Sequence, residues 1–211
     1  MRSKINATML SALLLTAIAT MFAGCNDPAS KSWQRKAAES AYERLKSETD
    51  DERRGFTCDY IRALLSLERG GDPDKQFAQG RTLLMMAIIR GDKEIVERLL
   101  SIDVYADVNR ADEYGNTALI FACERGDVDV VKRLIKAGAQ VNRQNKNGMT
   151  ALMACAEEGN IELFKLLETA GADQSLRDKK GWRWEAYAIK GGHEDMTSVI
   201  VDAQVKVGGK Q

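Results

Sequence analysis

The chain has 211 residues, of which 31 are basic and 31 acidic, and 44% are hydrophobic. Zero net charge supplies no basic footprint for nucleic acid, and the length suits one soluble domain with added segments. Two prolines and 6% aromatic residues fit an all-helical architecture better than a sandwich or barrel.

Residues 1–24 read as an address rather than as fold. Arg2 and Lys4 form a positive start, and Ala7 to Phe22 is an apolar run. As a helix that run reaches about 24 Å, short of the roughly 30 Å hydrocarbon core, so a secretion signal is expected rather than a permanent span. The ending Phe22-Ala23-Gly24-Cys25 resembles the lipobox of bacterial lipoproteins. The resemblance implies that the Cys25 thiol receives a diacylglycerol and that the peptide is cut just before it. The new amino terminus is then acylated. Several acyl chains, at about 0.8 kcal/mol per buried methylene, exceed the marginal hold of one chain. Phe22 stands where leucine is usual, and an ordinary secretory signal with a coincidental cysteine is the plain alternative. Asn26 rather than aspartate follows Cys25; by analogy with enteric bacteria this favours the outer membrane. The expected location is the bacterial envelope, lipid-anchored and facing the periplasm.

Residues 25–31 form a short polar tether. In residues 32–55, Ser32 caps a helix whose apolar positions are Trp33, Ala37, Ala38, Ala41, Tyr42 and Leu45. It is expected to cover the first repeat, and a charged turn follows. Residues 56–69 are expected to form a helix with Tyr60, Leu64, Leu65 and Leu67 on its apolar side.

From Gly80 a unit is written repeatedly. Gly115-Asn116-Thr117-Ala118-Leu119 returns as Gly148-Met149-Thr150-Ala151-Leu152, and 148 − 115 = 33. Gly126-Asp127 maps onto Gly159-Asn160, Leu134 onto Leu167, and Gly138-Ala139 onto Gly171-Ala172. A fixed period of this size indicates a solenoid whose units bury their apolar faces only by stacking. These residues resemble the ankyrin repeat, whose signature opens Gly-x-Thr-Pro-Leu-His-x-Ala and closes on Gly-Ala-Asp-Val-Asn. The resemblance implies an all-α solenoid of paired antiparallel helices with protruding hairpin turns. It spans residues 56–205: a half-unit 56–79, repeats 80–114, 115–147 and 148–180, and a C-terminal capping unit 181–205. Residues 206–211 are a tail. The first repeat is two residues longer (115 − 80 = 35), the extra residues falling between Leu100 and Asp107.

Within each unit Thr82, Thr117 and Thr150 are placed to cap the first helix. Gly91, Gly126, Gly159 and Gly192 stand where it stops, and Asp92, Asp127 and Asn160 are placed to cap the second. The hairpins are expected at 109–114, 142–147 and 175–180. The family's proline is replaced by Leu83, Ala118, Ala151 and Trp184, and its histidine by Met85, Ile120, Met153 and Ala186. Apolar contacts are expected in place of the histidine hydrogen bonds.

No catalytic constellation emerges. His193, the lone histidine, aligns with Asp127 and Asn160 and is read as structural. Triads and zinc sites need partners at fixed geometry. Glu124, Glu157 and Glu158 read as solvated charges rather than paired acid–base carboxylates. Cys123 and Cys155 occupy small buried positions; they either remain thiols or pair in an oxidising compartment. No metal ligand set, cofactor or small-molecule substrate is expected.

The resemblance implies that hairpin tips and the front of the first helices form a concave surface for a protein partner. The matching positions are Arg81, Glu113, Tyr114, Asn116, Glu124, Arg125, Lys146, Asn147, Met149, Glu157, Glu158, Lys179, Lys180 and Trp182. Ile89 and Arg90 flank them. Mixed charge steers a protein partner, and Tyr114, Met149 and Trp182 are candidate anchors. Trp184 is expected inside the C-terminal cap. Trp182 is open between packing there and facing solvent. The functional expectation is a membrane-tethered, non-catalytic protein-binding module. An immunity protein neutralising a periplasmic toxin, an envelope scaffold, and an enzyme with an unrecognised site are the alternatives.

Overall fold

A computed structural model describes residues 59–64, 66–67, 70–101 and 106–196. The signal, Cys25, the tether, the expected helix and turn of residues 32–55, Cys58, the 102–105 connection and the tail lie outside the described residues. The chain divides into two units, residues 1–71 and 72–211. In the first unit residues 59–64 and 66–67 are helical, with Tyr60, Ile61, Ala63 and Leu64 buried. Gly70, at φ 74°, lets the chain turn, and the Gly71 N–H donates to the Ser66 carbonyl at 2.9 Å.

The described elements of the second unit include seven α-helices: α1 Leu83–Arg90, α2 Lys93–Leu99, α3 Ala118–Glu124, α4 Val128–Lys136, α5 Ala151–Glu157, α6 Ile161–Thr169 and α7 Trp184–Lys190. The first helices of successive repeats pack in a row, α1 on α3, α3 on α5 and α5 on α7. Each of the first three also packs on its own second helix, and α4 packs on α6. No strand occurs among the described residues; an isolated antiparallel bridge joins Ala111 and Thr117.

The reason is local chemistry repeated in register. Thr82, Thr117 and Thr150 accept the backbone N–H groups of Met85, Ile120 and Met153 at 3.4, 3.4 and 3.3 Å, satisfying donors that a helix start leaves open. The first helices end at Gly91, Gly126, Gly159 and Gly192, all at positive φ between 69° and 80°, where a Cβ is unfavourable. Asp127 and Asn160 cap the second helices by accepting from Val130 and Leu163 at 3.3 and 3.0 Å. Asp92 departs from that expectation: it caps nothing with its side chain, and its carboxylate faces Arg90 at 3.5 Å.

Helices α3 and α5 are buried almost all round, from Ala118 to Cys123 and from Ala151 to Ala156, because each is sandwiched between two neighbours. The second helices bury one stripe only, Val130, Val131 and Leu134 in α4 and Leu163, Phe164 and Leu167 in α6. Each large side chain so buried contributes roughly 1.5–3 kcal/mol. Met85, Ile120 and Met153, standing for the family histidine, are buried to about 1% exposure. Trp184 closes the stack at 3% exposure, its ring 4.6 Å from Phe164.

Arg183 occupies the threonine position of the last unit (150 + 33), with extended backbone and no side-chain cap. Thr150→Ala is therefore expected to lower stability by about 1 kcal/mol, and Arg183→Thr to raise it by about 0.5 kcal/mol. Both are read as opposite shifts of the urea midpoint at constant slope.

Candidate functional site

The predicted residues fall into two sets in the second unit, hairpin tips and first-helix ends. The tips are built identically. Asp112, Asn145 and Asp178, spaced 33 apart, each accept two backbone N–H groups of their own turn. For Asp112 these are Tyr114 at 2.9 Å and Asn116 at 2.7 Å; for Asn145, Asn147 and Met149 at 2.9 Å; for Asp178, Lys180 at 2.9 Å and Trp182 at 2.7 Å. Such side-chain turns fix the tip without a strand.

Adjacent tips are tied by one backbone bond each. The N–H groups of Glu113, Lys146 and Lys179 donate to the carbonyls of Gln79, Tyr114 and Asn147, all at 2.9 Å. The separations are 113 − 79 = 34, 146 − 114 = 32 and 179 − 147 = 32, so the first interval carries the two extra residues and the register recovers before the tip. Below the tips, Asn109 and Asn142 each accept from the next unit, from Gln140 and Asp173 at 2.8 Å, and donate to the Gly138 and Gly171 carbonyls at 3.0 and 2.9 Å. Gln144 bridges the Gly148 and Arg177 carbonyls at 2.7 and 2.8 Å.

This framework decides which predicted residues are free to meet a ligand. Glu113, Tyr114, Lys146, Asn147, Lys179 and Lys180 are exposed at the tips, Tyr114 to 53%. Asn116 is half-buried and structural: it donates to Asp112 and accepts the Asn145 side-chain amide at 2.8 Å. Met149 is half-buried. Trp182 resolves as both packed and accessible, 39% exposed, edge-on to Tyr187 at 6.0 Å, with the Lys180 ammonium 5.2 Å from its ring.

At the helix ends Glu124 and Glu158 are exposed and Glu157 is half-buried. Glu157 pairs with Lys190 at 2.7 Å. Arg81 is half-buried with its guanidinium 5.6 Å from the Phe121 ring. Arg125 is exposed, yet it donates to the Ile89 carbonyl at 2.8 Å and lies over Gly91. The ends crowd like charge: desolvation first, then Glu157, Glu158 and Asp112, hold the Glu124 carboxyl above its ordinary value, against a lowering by Arg81.

Asp178 behaves oppositely. Burial raises it, but the Trp182 and Lys180 N–H groups, the Tyr187 hydroxyl and the Lys180 charge together hold it below its ordinary value. Tyr187 Oη donates to Asp178 Oδ2 at 2.9 Å, and burial, followed by that bond and charge, pushes the phenol to about 12. The tip residues Asp112, Asn145 and Asp178 were not among the predicted site positions, although their 33-residue spacing is visible in the sequence.

Other candidates have structural places. The His193 ring packs over Gly159, where an added Cβ would meet it at 2.5 Å. Cys123 and Cys155 are buried free thiols. Burial, aided by Glu124 at Cys123 and by Cys123 at Cys155, raises both, so neither is a ready thiolate. Among the described residues no cluster of histidine, cysteine or carboxylate side chains is arranged to hold a metal ion.

A family model for ankyrin repeats (3 copies) matches residues 53–145 and, again, 125–210. No curated protein matches the chain.

The raised Glu124 carboxyl has a pH signature. Its ionised form is disfavoured in the folded state, so it costs stability above its raised folded pKa and nothing below the unfolded value. Glu124→Gln is expected to stabilise the protein at pH 7 by about 0.3 kcal/mol, the scale of solvent-screened charges. The gain should vanish as pH falls below 4.5, the ordinary glutamate value. Urea unfolding at pH 7 and pH 3.5 measures both arms.

Proposed function

This chain belongs to the ankyrin-repeat family, and from that premise we propose a non-catalytic protein-binding module, tethered through lipid on Cys25 and facing the periplasm. Its partner lies along the hairpin tips and the ends of α1, α3 and α5. The observation that carries the reading is a division of labour within each repeat. Asp112, Asn145 and Asp178 are consumed in holding the turns, while Tyr114, Lys146, Asn147, Lys179 and Lys180 beside them remain exposed. A rigid backbone presenting variable side chains lowers the ordering cost of binding. Basic tips beside acidic helix ends select a partner of complementary charge pattern and speed its approach.

Fold alone does not assign function; the support here is the placement of exposed aromatics among unspent charges. The tether rests on the Phe22-Ala23-Gly24-Cys25 ending, and Asn26 favours the outer membrane by analogy with enteric bacteria. Two measurements test the two halves separately. Labelled palmitate should enter the full-length chain and not its Cys25→Ser variant; equal labelling removes the tether from the account. Affinity capture from envelope extract should recover a specific protein with the wild type. The Tyr114→Ala/Met149→Ala/Trp182→Ala variant should recover at least about tenfold less, since aromatic anchors commonly cost 2 kcal/mol or more. Undiminished capture by that variant places the partner on another face.

A further inference from the structure

Among the described residues, the row of hairpin tips has an open end. At the first three tips the glycine is backed by the tip that follows. A Cβ added to Gly80, Gly115 or Gly148 would lie 2.8, 2.8 or 2.9 Å from the backbone nitrogen of Glu113, Lys146 or Lys179. Those same N–H groups donate to the carbonyls of Gln79, Tyr114 and Asn147. The fourth tip repeats the internal geometry: Asp178 accepts from Lys180 and Trp182 as Asn145 does from Asn147 and Met149, and Gly181 has φ 81° against 82° at Gly148. Yet among the described residues nothing lies within 4 Å of where a Gly181 Cβ would be. The Lys180 carbonyl, standing where the Asn147 carbonyl stands one repeat earlier, receives no N–H among the described residues. The slot that at every earlier tip holds the next tip's backbone receives none from the described residues here.

The chemistry around the slot is one-sided. Lys179, Lys180 and Arg177 are exposed. The Asp178 carboxylate is withdrawn, buried and bonded to Tyr187 and to its own turn. Glu185 is paired with Arg183 at 2.9 Å. Trp182 offers an apolar ring beside the Lys180 ammonium. An unpaired backbone acceptor beside an aromatic ring suits an extended peptide, which adds its backbone to an existing edge and seats alternate side chains.

We propose that the open tip takes an extended acidic segment of a partner protein. One of its backbone N–H groups donates to the Lys180 carbonyl, in the place that the Lys179 N–H holds on Asn147. Its carboxylates meet Lys179 and Lys180, and an apolar side chain lies on Trp182. The proposal deepens the binding-module reading and rests on it, assigning the partner's chemistry at the C-terminal end of the surface. The backbone slot favours a peptide over an anionic lipid headgroup, since only a peptide brings a backbone that repeats the tip-to-tip pairing and seats alternate side chains on the lysines and on Trp182.

The test uses the full-length chain in a zwitterionic detergent. The probe is a fluorescently labelled ten-residue peptide of alternating glutamate and valine, with a lysine–valine peptide as control and glycerol phosphate as the lipid-headgroup competitor. The glutamate peptide should bind and the lysine peptide should not. Lys179→Glu/Lys180→Glu should weaken binding at least about tenfold. Gly181→Asn keeps a residue type tolerated at positive φ and fills the slot; it should weaken binding similarly while the thermal midpoint holds. N-methylation of alternate peptide amides should abolish binding in one register only. The proposal is overturned by absence of peptide binding, by equal affinity in both variants, or by lysine-dependent binding of glycerol phosphate alone. Each of those results leaves the broader reading standing, because that reading falls with the Tyr114/Met149/Trp182 capture experiment instead.

Discussion

The structure depends on how closely one hairpin tip approaches the glycine of the tip before it. Gly80, Gly115 and Gly148 sit at φ of 69°, 81° and 82°, a region costly for side chains. In each case the following backbone occupies the space a Cβ would take. That approach permits the single tip-to-tip hydrogen bond at 2.9 Å and sets the spacing at which α1, α3, α5 and α7 meet. The small residues of α3 and α5, Ala118, Ala122, Ala151, Ala154 and Ala156, are all buried to 1% exposure or less. At that spacing larger side chains would overpack. The tips and the helix row thus state one distance twice.

From this follows the separation of structural and available side chains. Polar groups facing a neighbouring repeat are spent between repeats: Asn109, Asn142 and Gln144 each bond to the next unit, while Asn145 ties its own tip back to Asn116 at the start of the same unit. Charges pointing away from the neighbours are left for solvent or a partner, and they are sorted. Lysines gather toward the last tips and glutamates at the ends of α3 and α5. Burial first, and then the like charges of Glu157, Glu158 and Asp112 that the scaffold holds nearby, raise the Glu124 carboxyl. A basic group brought by a partner would relieve it.

Much of this was legible in the sequence because the repeat lets each position be read several times. Threonine caps, terminal glycines and apolar stripes recur at equivalent places, and the two-residue insertion reappears as the longer first interval between tips. Trp184 was readable as cap packing, since a last unit needs an atypical closure. What was not legible depends on partners that only the folded chain brings together. Asn116 reads as a free surface position from its local sequence and becomes a rung only when Asn145, 29 residues on, reaches it. Arg125 likewise looks unspent until it meets the Ile89 carbonyl. Asp92 has the right type to cap α2, but its side chain faces Arg90 instead. The spacing of Asp112, Asn145 and Asp178 was visible, yet mixed Asp and Asn identity conceals that one acceptor oxygen is the shared requirement.

The central claim is that the tip glycines are required by the neighbour's approach as well as by their own backbone conformation. Paired urea unfolding of Gly148→Ala and Gly181→Ala separates the two, because both carry positive φ and, of this pair, only Gly148 has a tip behind it among the described residues. Conformational strain alone should cost each variant about 1–2 kcal/mol. Gly148→Ala should lose a further 1 kcal/mol or more, roughly, from the forced overlap with Asp178 and Lys179. Equal losses in the two variants would contradict the account.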